Sequence, residues 1–208
     1  MMFAILMLAA TQTGAIAGEV QPPRLRNAAA VITLQDYPQT ALQHDEYGIV
    51  SIALSVSTEG KVTSCDVTET SGSNLLDKRT CALFKARAKF DPATDGNHQP
   101  VSAGFRTAVA WGADPYFSST TIGFDLKVSR VPAGYQSPVR AKVIFDATGH
   151  AGSCDILQSS GSDAADQIAC QQIRQQLTIS APKSMTATVT PEAVRSVAVR
   201  LVVQPQTP

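Results

Sequence analysis

The sequence has no net charge and few charged side chains of either sign. Its 208 residues include 17 basic and 17 acidic side chains, and charged residues make up 16% of the chain. Nucleic acids and anionic lipids attract proteins through clustered positive charge. Neither is therefore an expected partner of this chain, whose length allows one or two domains.

Motifs of catalysis and cofactor binding are also missing. There is no Gly-x-Ser-x-Gly turn of a serine hydrolase and no glycine-rich phosphate-binding loop. His44, His98 and His150 lie in polar, loop-like stretches, where we expect exposed side chains without a catalytic role. Asp77 and Asp166 fall in predicted first helical turns, where a carboxylate favours the helix dipole. We therefore predict no enzymatic activity, no cofactor, no metal site and no small-molecule substrate.

No apolar run is long enough to cross a membrane. Residues 2–10 are apolar, but Thr-Gln-Thr-Gly at residues 11–14 interrupts the run before the roughly 20 residues that a spanning helix needs. Residues 15–17 read Ala-Ile-Ala, which fits a small-x-small cleavage site. We expect residues 1–17 to be a secretory signal and the mature protein to be periplasmic. A retained anchor in the inner membrane is the alternative.

The chain has only four cysteines, without a close Cys-x-x-Cys pair or a histidine at zinc-ligand spacing. In an exported protein, an even set of cysteines indicates disulfides. Zinc ligation is the alternative.

Residues 48–111 show the clearest secondary-structure pattern, which begins with a predicted hairpin. Apolar side chains alternate from Val50 to Val56, and a period of two is typical of a strand with one buried face. Gly60 can take the positive φ that a tight turn needs. Residues 62–68 then return as a second strand.

A helix and a last strand complete this stretch. The break at Ser71-Gly72-Ser73 offers a helix N-cap, and apolar residues follow at helical spacing from Leu76. Pro92 disfavours the α region at the residue before it, which ends the helix. Residues 101–111 alternate again and predict the last strand.

A set of residues in this part of the chain occurs in a characteristic order. The set comprises Tyr37-Pro38, Ala41-Leu42, Gly48, Val50, Gly60, Val62, Ser71-Gly72, Leu76-Asp77 and Phe90-x-Pro92-Ala93. In these residues the chain resembles the C-terminal domain of TonB, the periplasmic energy transducer of Gram-negative bacteria. The resemblance implies an α+β fold with helices on one face of a three-stranded antiparallel sheet. It also implies a protein partner in the cell envelope, such as an outer-membrane receptor whose extended peptide pairs with the last strand.

The resemblance places the partner-binding residues at two positions. On the last strand they are Val101, Ser102, Ala103, Gly104, Phe105, Arg106 and Thr107. The family has a glutamine three residues ahead of the Tyr-Pro pair; here that position is Leu34, and the candidates are Gln35 and Tyr37. We expect small side chains on the strand's polar face to leave room for a partner, and Arg106 to pair with a carboxylate on it.

The cysteines reveal an internal repeat. Cys65 and Cys81 recur as Cys154 and Cys170, and both are shifted by 89 residues. The same shift superposes Gly60 on Gly149, Ser71-Gly72 on Ser160-Gly161, and Asp77 on Asp166. Each copy has one cysteine on its second strand and one on the following helix, which predicts the disulfides Cys65–Cys81 and Cys154–Cys170.

The repeat predicts tandem units, each a small antiparallel sheet with a helix on one face. We expect a TonB C-terminal-like domain at residues 30–112 and a degenerate second copy at 120–205, after a short linker. The predicted function is non-enzymatic binding of an envelope partner by strand addition. Two alternatives stay open: a membrane-anchored energy transducer, and a purely structural envelope protein in which one repeat seals the sheet edges of the other.

Overall fold

The computed structural model describes residues 20–112, 120–184 and 186–204. The expected signal sequence at residues 1–17 lies outside these ranges, as does the expected linker except for Gly112. No helix within the described ranges is long and apolar enough to cross a membrane.

The N-terminal half, residues 20–112, forms a three-stranded antiparallel sheet with helices on one face. Its elements are strand β1 (Arg24–Leu25), helices α1 (Ala28–Val31) and α2 (Gln39–Gln43), strands β2 (Gly48–Val56) and β3 (Val62–Glu69), helix α3 (Asn74–Arg87), and strands β4 (Phe90–Asp91), β5 (Ala93–Thr94), β6 (Pro100–Val101) and β7 (Ala103–Trp111). The sheet order is β3-β2-β7, so β2 is central and both neighbours are edge strands.

The core of the N-terminal half lies between this sheet and α3. The side chains of Val50, Ile52, Leu54 and Val56 in β2 are at most 2% exposed, as the alternation predicts. Burial of each such side chain contributes roughly 1.5–3 kcal/mol. Helix α3 begins after Ser73, whose hydroxyl accepts a hydrogen bond from the N–H of Leu76, so the expected N-cap is present.

The C-terminal half, residues 120–204, forms a four-stranded sheet with one helix. Its elements are strands β8 (Thr121–Val128), β9 (Val139–Phe145) and β10 (Ala151–Gln158), helix α4 (Asp163–Gln176) and strand β11 (Ala193–Val203). The order is β10-β9-β11-β8, and β8 runs parallel to β11. The expectation of a purely antiparallel second sheet is therefore wrong. A long connection through β9, β10 and α4 separates β8 from β11, and no hairpin imposes an antiparallel direction on the pair.

Equivalent local contacts recur in the two halves at the 89-residue shift. Gly60 and Gly149 have φ of 75° and 87°. The carbonyl of Gly60 accepts a hydrogen bond from the N–H of Phe90 at 3.1 Å, and that of Gly149 accepts one from Ile179 at 2.9 Å. Helices α3 and α4 and strands β3 and β10 are also related by this shift.

Both cysteine pairs are bonded as the repeat predicts. Cys65 is joined to Cys81 and Cys154 to Cys170, with Cα–Cα distances of 5.6 and 5.7 Å. Each bond fastens a helix to the strand before it across 16 residues. In the loop-entropy model, a loop of this length contributes roughly 3 kcal/mol.

Asp77 and Asp166, in the first turns of helices α3 and α4, stabilise the turns that precede these helices. Asp77 Oδ1 accepts hydrogen bonds from the N–H and hydroxyl of Ser71 at 3.0 and 2.8 Å. Asp166 Oδ1 accepts the same pair from Ser160 at 3.0 and 2.7 Å. Burial acts to raise the pKa of Asp166, but the hydrogen bonds from Ser159 and Ser160 hold it below its ordinary value. Both carboxylates therefore have a structural role at a helix start.

Candidate functional site

The predicted binding strand forms one edge of the first sheet. β7 pairs along its length with β2, from Ala103 opposite Val56 to Trp111 opposite Gly48. Within the described part of the chain, no second strand pairs with β7. The candidate residues 103–107 therefore lie on an edge strand, whose outward N–H and C=O groups are suited to pair with another chain.

Val101 and Ser102 do not belong to this strand. Val101 pairs with Ala93 in the short ladder between β5 and β6, and Ser102 separates β6 from β7. The loop within that ladder is closed by Asp95, whose carboxylate accepts a hydrogen bond from the N–H of Gln99 at 2.9 Å. The prediction of one continuous strand is thus wrong at its first two residues, because a local hairpin holds Val101.

Tyr37 packs against the C-terminal end of β7. Its ring meets Trp111 edge-on, with 5.3 Å between the ring centroids, and its hydroxyl donates to the backbone oxygen of Glu46 at 2.6 Å. Burial, followed by the nearby carboxylate of Glu46, raises the pKa of Tyr37. Tyr37 therefore supports the end of the strand, whereas Gln35 is exposed on the 3-10 turn at Leu34–Asp36. A role of either residue in partner binding stays a prediction.

Arg106 has a carboxylate partner within the chain. Its Nε donates to Glu192 Oε2 at 2.8 Å, and the two side chains are 47% and 25% exposed. An ion pair this exposed adds at most about 1 kcal/mol to stability. The guanidinium is thus engaged by Glu192 within the chain, and its pairing with a partner's carboxylate stays a prediction.

The C-terminal half packs against the face of the first sheet that is opposite α3. Arg195 makes a two-pronged ion pair with Glu69, with N–O distances of 2.8 and 2.9 Å. Ser51 donates to Glu69 Oε2 at 2.9 Å and accepts from the N–H of Val194 at 2.9 Å. The polar face that was expected to receive a partner's side chains therefore receives β11 of the same chain at these positions.

The other edge of the first sheet is covered near the end of β3. The N–H of Thr70 donates to the carbonyl of Lys183 at 2.8 Å, and the N–H of Glu192 donates to the carbonyl of Thr68 at 2.9 Å. Lys183 and Glu192 of the C-terminal half thus occupy outward backbone groups of this edge. Of the two edge strands of the first sheet, β7 is the one without such cover in the described residues.

The two sheets differ in what lies at the outer edge of their last strands, β7 and β11. β7 lies beside the central β2, and β11 lies beside the central β9 in the same order. The outer edge of β11 is filled by β8, which pairs with it from Thr121 opposite Ser196 to Val128 opposite Val203. The corresponding edge of β7 has no paired strand in the described residues. The outer edge of the last strand is therefore paired in the C-terminal half and, within the described residues, unpaired in the N-terminal half.

A slot separates part of β7 from the C-terminal half. Its volume is about 270 Å³, and its lining includes residues 105–108 of β7 together with Thr120, Lys142, Leu157 and residues 194–196. The ammonium group of Lys142 lies 5.8 Å from the centroid of the Phe105 ring. Leu157 is 63% exposed. We call this feature the inter-half slot.

Sequence reasoning missed the residues that the C-terminal half contributes to this region. One signal was present for Arg195, because it is a charged residue within the mainly apolar strand β11. Lys142 likewise stands in the alternating strand β9 at a position that faces away from the core. The sequence alone does not show which surface these side chains meet.

The described residues contain no cluster of histidine, cysteine, aspartate and glutamate side chains that could hold a metal ion. His44, His98 and His150 are exposed, as the sequence predicts. His150 shares a hydrogen bond with the hydroxyl of Thr148 at 2.8 Å within its own turn.

Comparison with known proteins gives a match in the N-terminal half. Residues 33–112 match the model of the family described as Gram-negative bacterial TonB protein C-terminal. This confirms the resemblance over that range, and the family is a protein-interaction domain of the cell envelope. No curated protein and no solved structure shows significant similarity to the chain.

Proposed function

We propose that this chain is a non-enzymatic periplasmic protein that binds an extended segment of an envelope protein by strand addition to β7. The proposal rests on the edge of β7, which has no paired strand in the described residues although backbone groups at the opposite edge of the same sheet are bonded to Lys183 and Glu192. The family match over residues 33–112 supports a protein partner, such as an outer-membrane receptor.

The chemistry of strand addition suits this edge. Backbone hydrogen bonds supply the affinity and tolerate sequence changes in the peptide, while pockets for alternate side chains supply specificity. Gly104 contributes no side chain, and a Cβ built there would meet its nearest atom, the carbonyl oxygen of Leu54, at 3.9 Å. A strand that approaches the start of β7 therefore meets little steric obstruction from this residue.

We further propose that residues 120–205 are a degenerate second copy of the domain at residues 30–112. The equivalent turns, helices and disulfides at the 89-residue shift support this assignment. Because β8 fills the edge of β11, the second copy is not expected to bind a partner in the same way. The proposed secretory signal at residues 1–17 predicts a mature protein that starts near Gly18, which N-terminal sequencing would measure.

Proline substitution on β7 tests strand addition. In a strand, alternate residues direct their N–H toward β2 and toward the open edge, and proline removes that N–H. We would select peptides from a random phage-displayed library on the purified, oxidised chain. The enriched peptides would then be titrated against the wild type and against Ala103→Pro and Gly104→Pro.

One of these two variants should remain folded by circular dichroism and lose peptide binding. The other variant, in which the removed N–H belongs to the ladder with β2, is the matched control for disruption of the strand. If both folded variants bind the peptides like the wild type, the edge of β7 is not the binding site. The purely structural alternative, which the backbone contacts of Lys183 and Glu192 with the end of β3 favour, would then account better for the molecule.

A further inference from the structure

The wall of the inter-half slot carries charge of one sign only. Its ionisable side chains are Arg106, Lys142 and Arg195, and no acidic side chain is part of the lining. The carboxylates of Glu192 and Glu69 already engage the two arginines through contacts of 2.8–2.9 Å. Lys142 is therefore the cation of the wall with the weakest internal pairing.

The surroundings of Lys142 hold its ammonium group at the slot. Its nearest carboxylate is that of Asp155, at 3.7 Å, and the Asp155 side chain is 60% exposed. On the other side lies the face of Phe105, at a distance within the range of cation–π attraction. Only 29% of the Lys142 side chain is exposed, so its stem is packed while its charged end reaches the slot.

The slot borders the segment of β7 that an added strand would pass. Residues 105–108 of β7 form one wall, and Lys142 and Leu157 stand on the other. A strand paired to β7 lies about 4.8 Å from it. Its side chains would then meet an ammonium group and an exposed leucine that both belong to the C-terminal half.

We infer that the C-terminal half forms the second wall of the peptide-binding slot, and that Lys142 selects a peptide with an acidic side chain opposite residues 105–107. This inference rests on the proposed function, since it assigns the specificity of the same edge. It gives the C-terminal half a role in recognition although its own equivalent edge is filled by β8. The exposed Leu157 favours an apolar residue beside the acidic one.

The test uses the peptides selected from the random library on the oxidised chain. Each enriched peptide that contains an acidic residue is compared with its amide counterpart, glutamine for glutamate or asparagine for aspartate. With the wild type, the amide should bind about two- to fivefold more weakly, as expected for a partly exposed ion pair. With Lys142→Gln, the acidic and amide peptides should bind equally.

Arg140→Gln is the matched control, because Arg140 lies on the same face of β9 and is exposed outside the slot lining. It should keep the preference for the acidic peptide. If enriched peptides are sensitive to proline on β7 but show no acidic preference, or keep it in Lys142→Gln, the inference is overturned and strand addition stands. If no peptide is enriched, or binding ignores both prolines, the proposed function fails and the inference fails with it.

Discussion

Asp36 is a buried carboxylate that two arginines hold in place. Arg87 donates to its Oδ2 at 2.7 Å and Arg79 to its Oδ1 at 3.2 Å. The N–H and hydroxyl of Thr33 each donate to Oδ2 at 2.9 Å. The hydrogen bond from Arg87, followed by that from the Thr33 backbone, holds the pKa of Asp36 well below its ordinary value despite burial. Asp36 thereby fastens the segment before Tyr37 to helix α3.

Replacement of Asp36 by asparagine should remove an acid-sensitive part of the stability. A carboxyl with a lowered pKa in the folded state stabilises the fold above its unfolded pKa of about 3.9, and this contribution is lost as the pH falls below about 4. At pH 7, Asp36→Asn should unfold at a lower denaturant concentration than the wild type. The difference between them should shrink as the pH is lowered from 4 to 2.

Denaturant titrations at a series of pH values measure this effect. Asp91→Asn is the control, because Asp91 makes only exposed ion pairs with Arg24 and Arg26. If the free energies of unfolding of the wild type and Asp36→Asn fall in parallel as the pH is lowered, the charge of Asp36 does not contribute the predicted acid-sensitive stability.

The hairpin between β2 and β3 is an element whose turn is fixed by a close backbone approach. Gly60 has a φ of 75°, and a Cβ there would lie 2.1 Å from the carbonyl oxygen of Phe90. The C-terminal half repeats this contact, with 2.1 Å between a Cβ at Gly149 and the carbonyl oxygen of Ile179. The chain that leaves each helix therefore crosses directly over the hairpin, which leaves no room for a side chain.

Alanine at Gly60 should cost more than alanine at Gly72. Gly72 also has a positive φ, of 94°, but a Cβ there would meet no atom within 4 Å. Gly72→Ala should therefore lose only about 1–2 kcal/mol from the left-handed backbone. Gly60→Ala adds the clash with Phe90 and should lose about 2–5 kcal/mol in all. Equal free energies of unfolding in guanidinium titrations would mean that the Phe90 segment moves away without cost.

The two halves of the molecule are joined by a largely buried ion pair. Arg195 and Glu69 are only 13% and 12% exposed, and they lie 126 residues apart in the chain. Ser51 connects the same carboxylate to the backbone of β11. The second wall of the inter-half slot therefore depends on this junction, since Val194 and Arg195 are part of the lining.

Replacing only one partner of this ion pair should lower the free energy of unfolding more than replacing both partners. Arg195→Met leaves Glu69 buried without its cation, and we expect a loss of about 3–5 kcal/mol. The double variant Glu69→Met, Arg195→Met should recover most of that loss, because apolar replacement of a buried pair is often close to neutral. Chemical denaturation of both single variants and the double variant gives the coupling energy.

Arg200→Met provides the control, since its pair with Asp125 is more than half exposed and should contribute at most about 1 kcal/mol. A double variant no more stable than Arg195→Met would indicate that other contacts hold the halves together.

The sequence by itself determined the local elements and the cysteine pairing. The alternation from Val50 to Val56 and the N-cap at Ser73 depend on residues close in the chain, and the structure shows both. The disulfides join residues 16 positions apart within a strand-helix pair. The sequence also placed the candidate residues 103–107 on the last strand, although their binding role is a prediction that the proline variants test.

Only the tertiary structure decided which distant segments lie against each edge and face. It placed β8 parallel to β11, Lys183 and Glu192 against the edge of β3, and Lys142 beside Phe105. The backbone groups of an edge strand are the same in every residue and therefore leave no mark in the sequence. Which segment pairs with them depends on the free energy of the whole fold, and contacts between residues more than a hundred positions apart contribute to it.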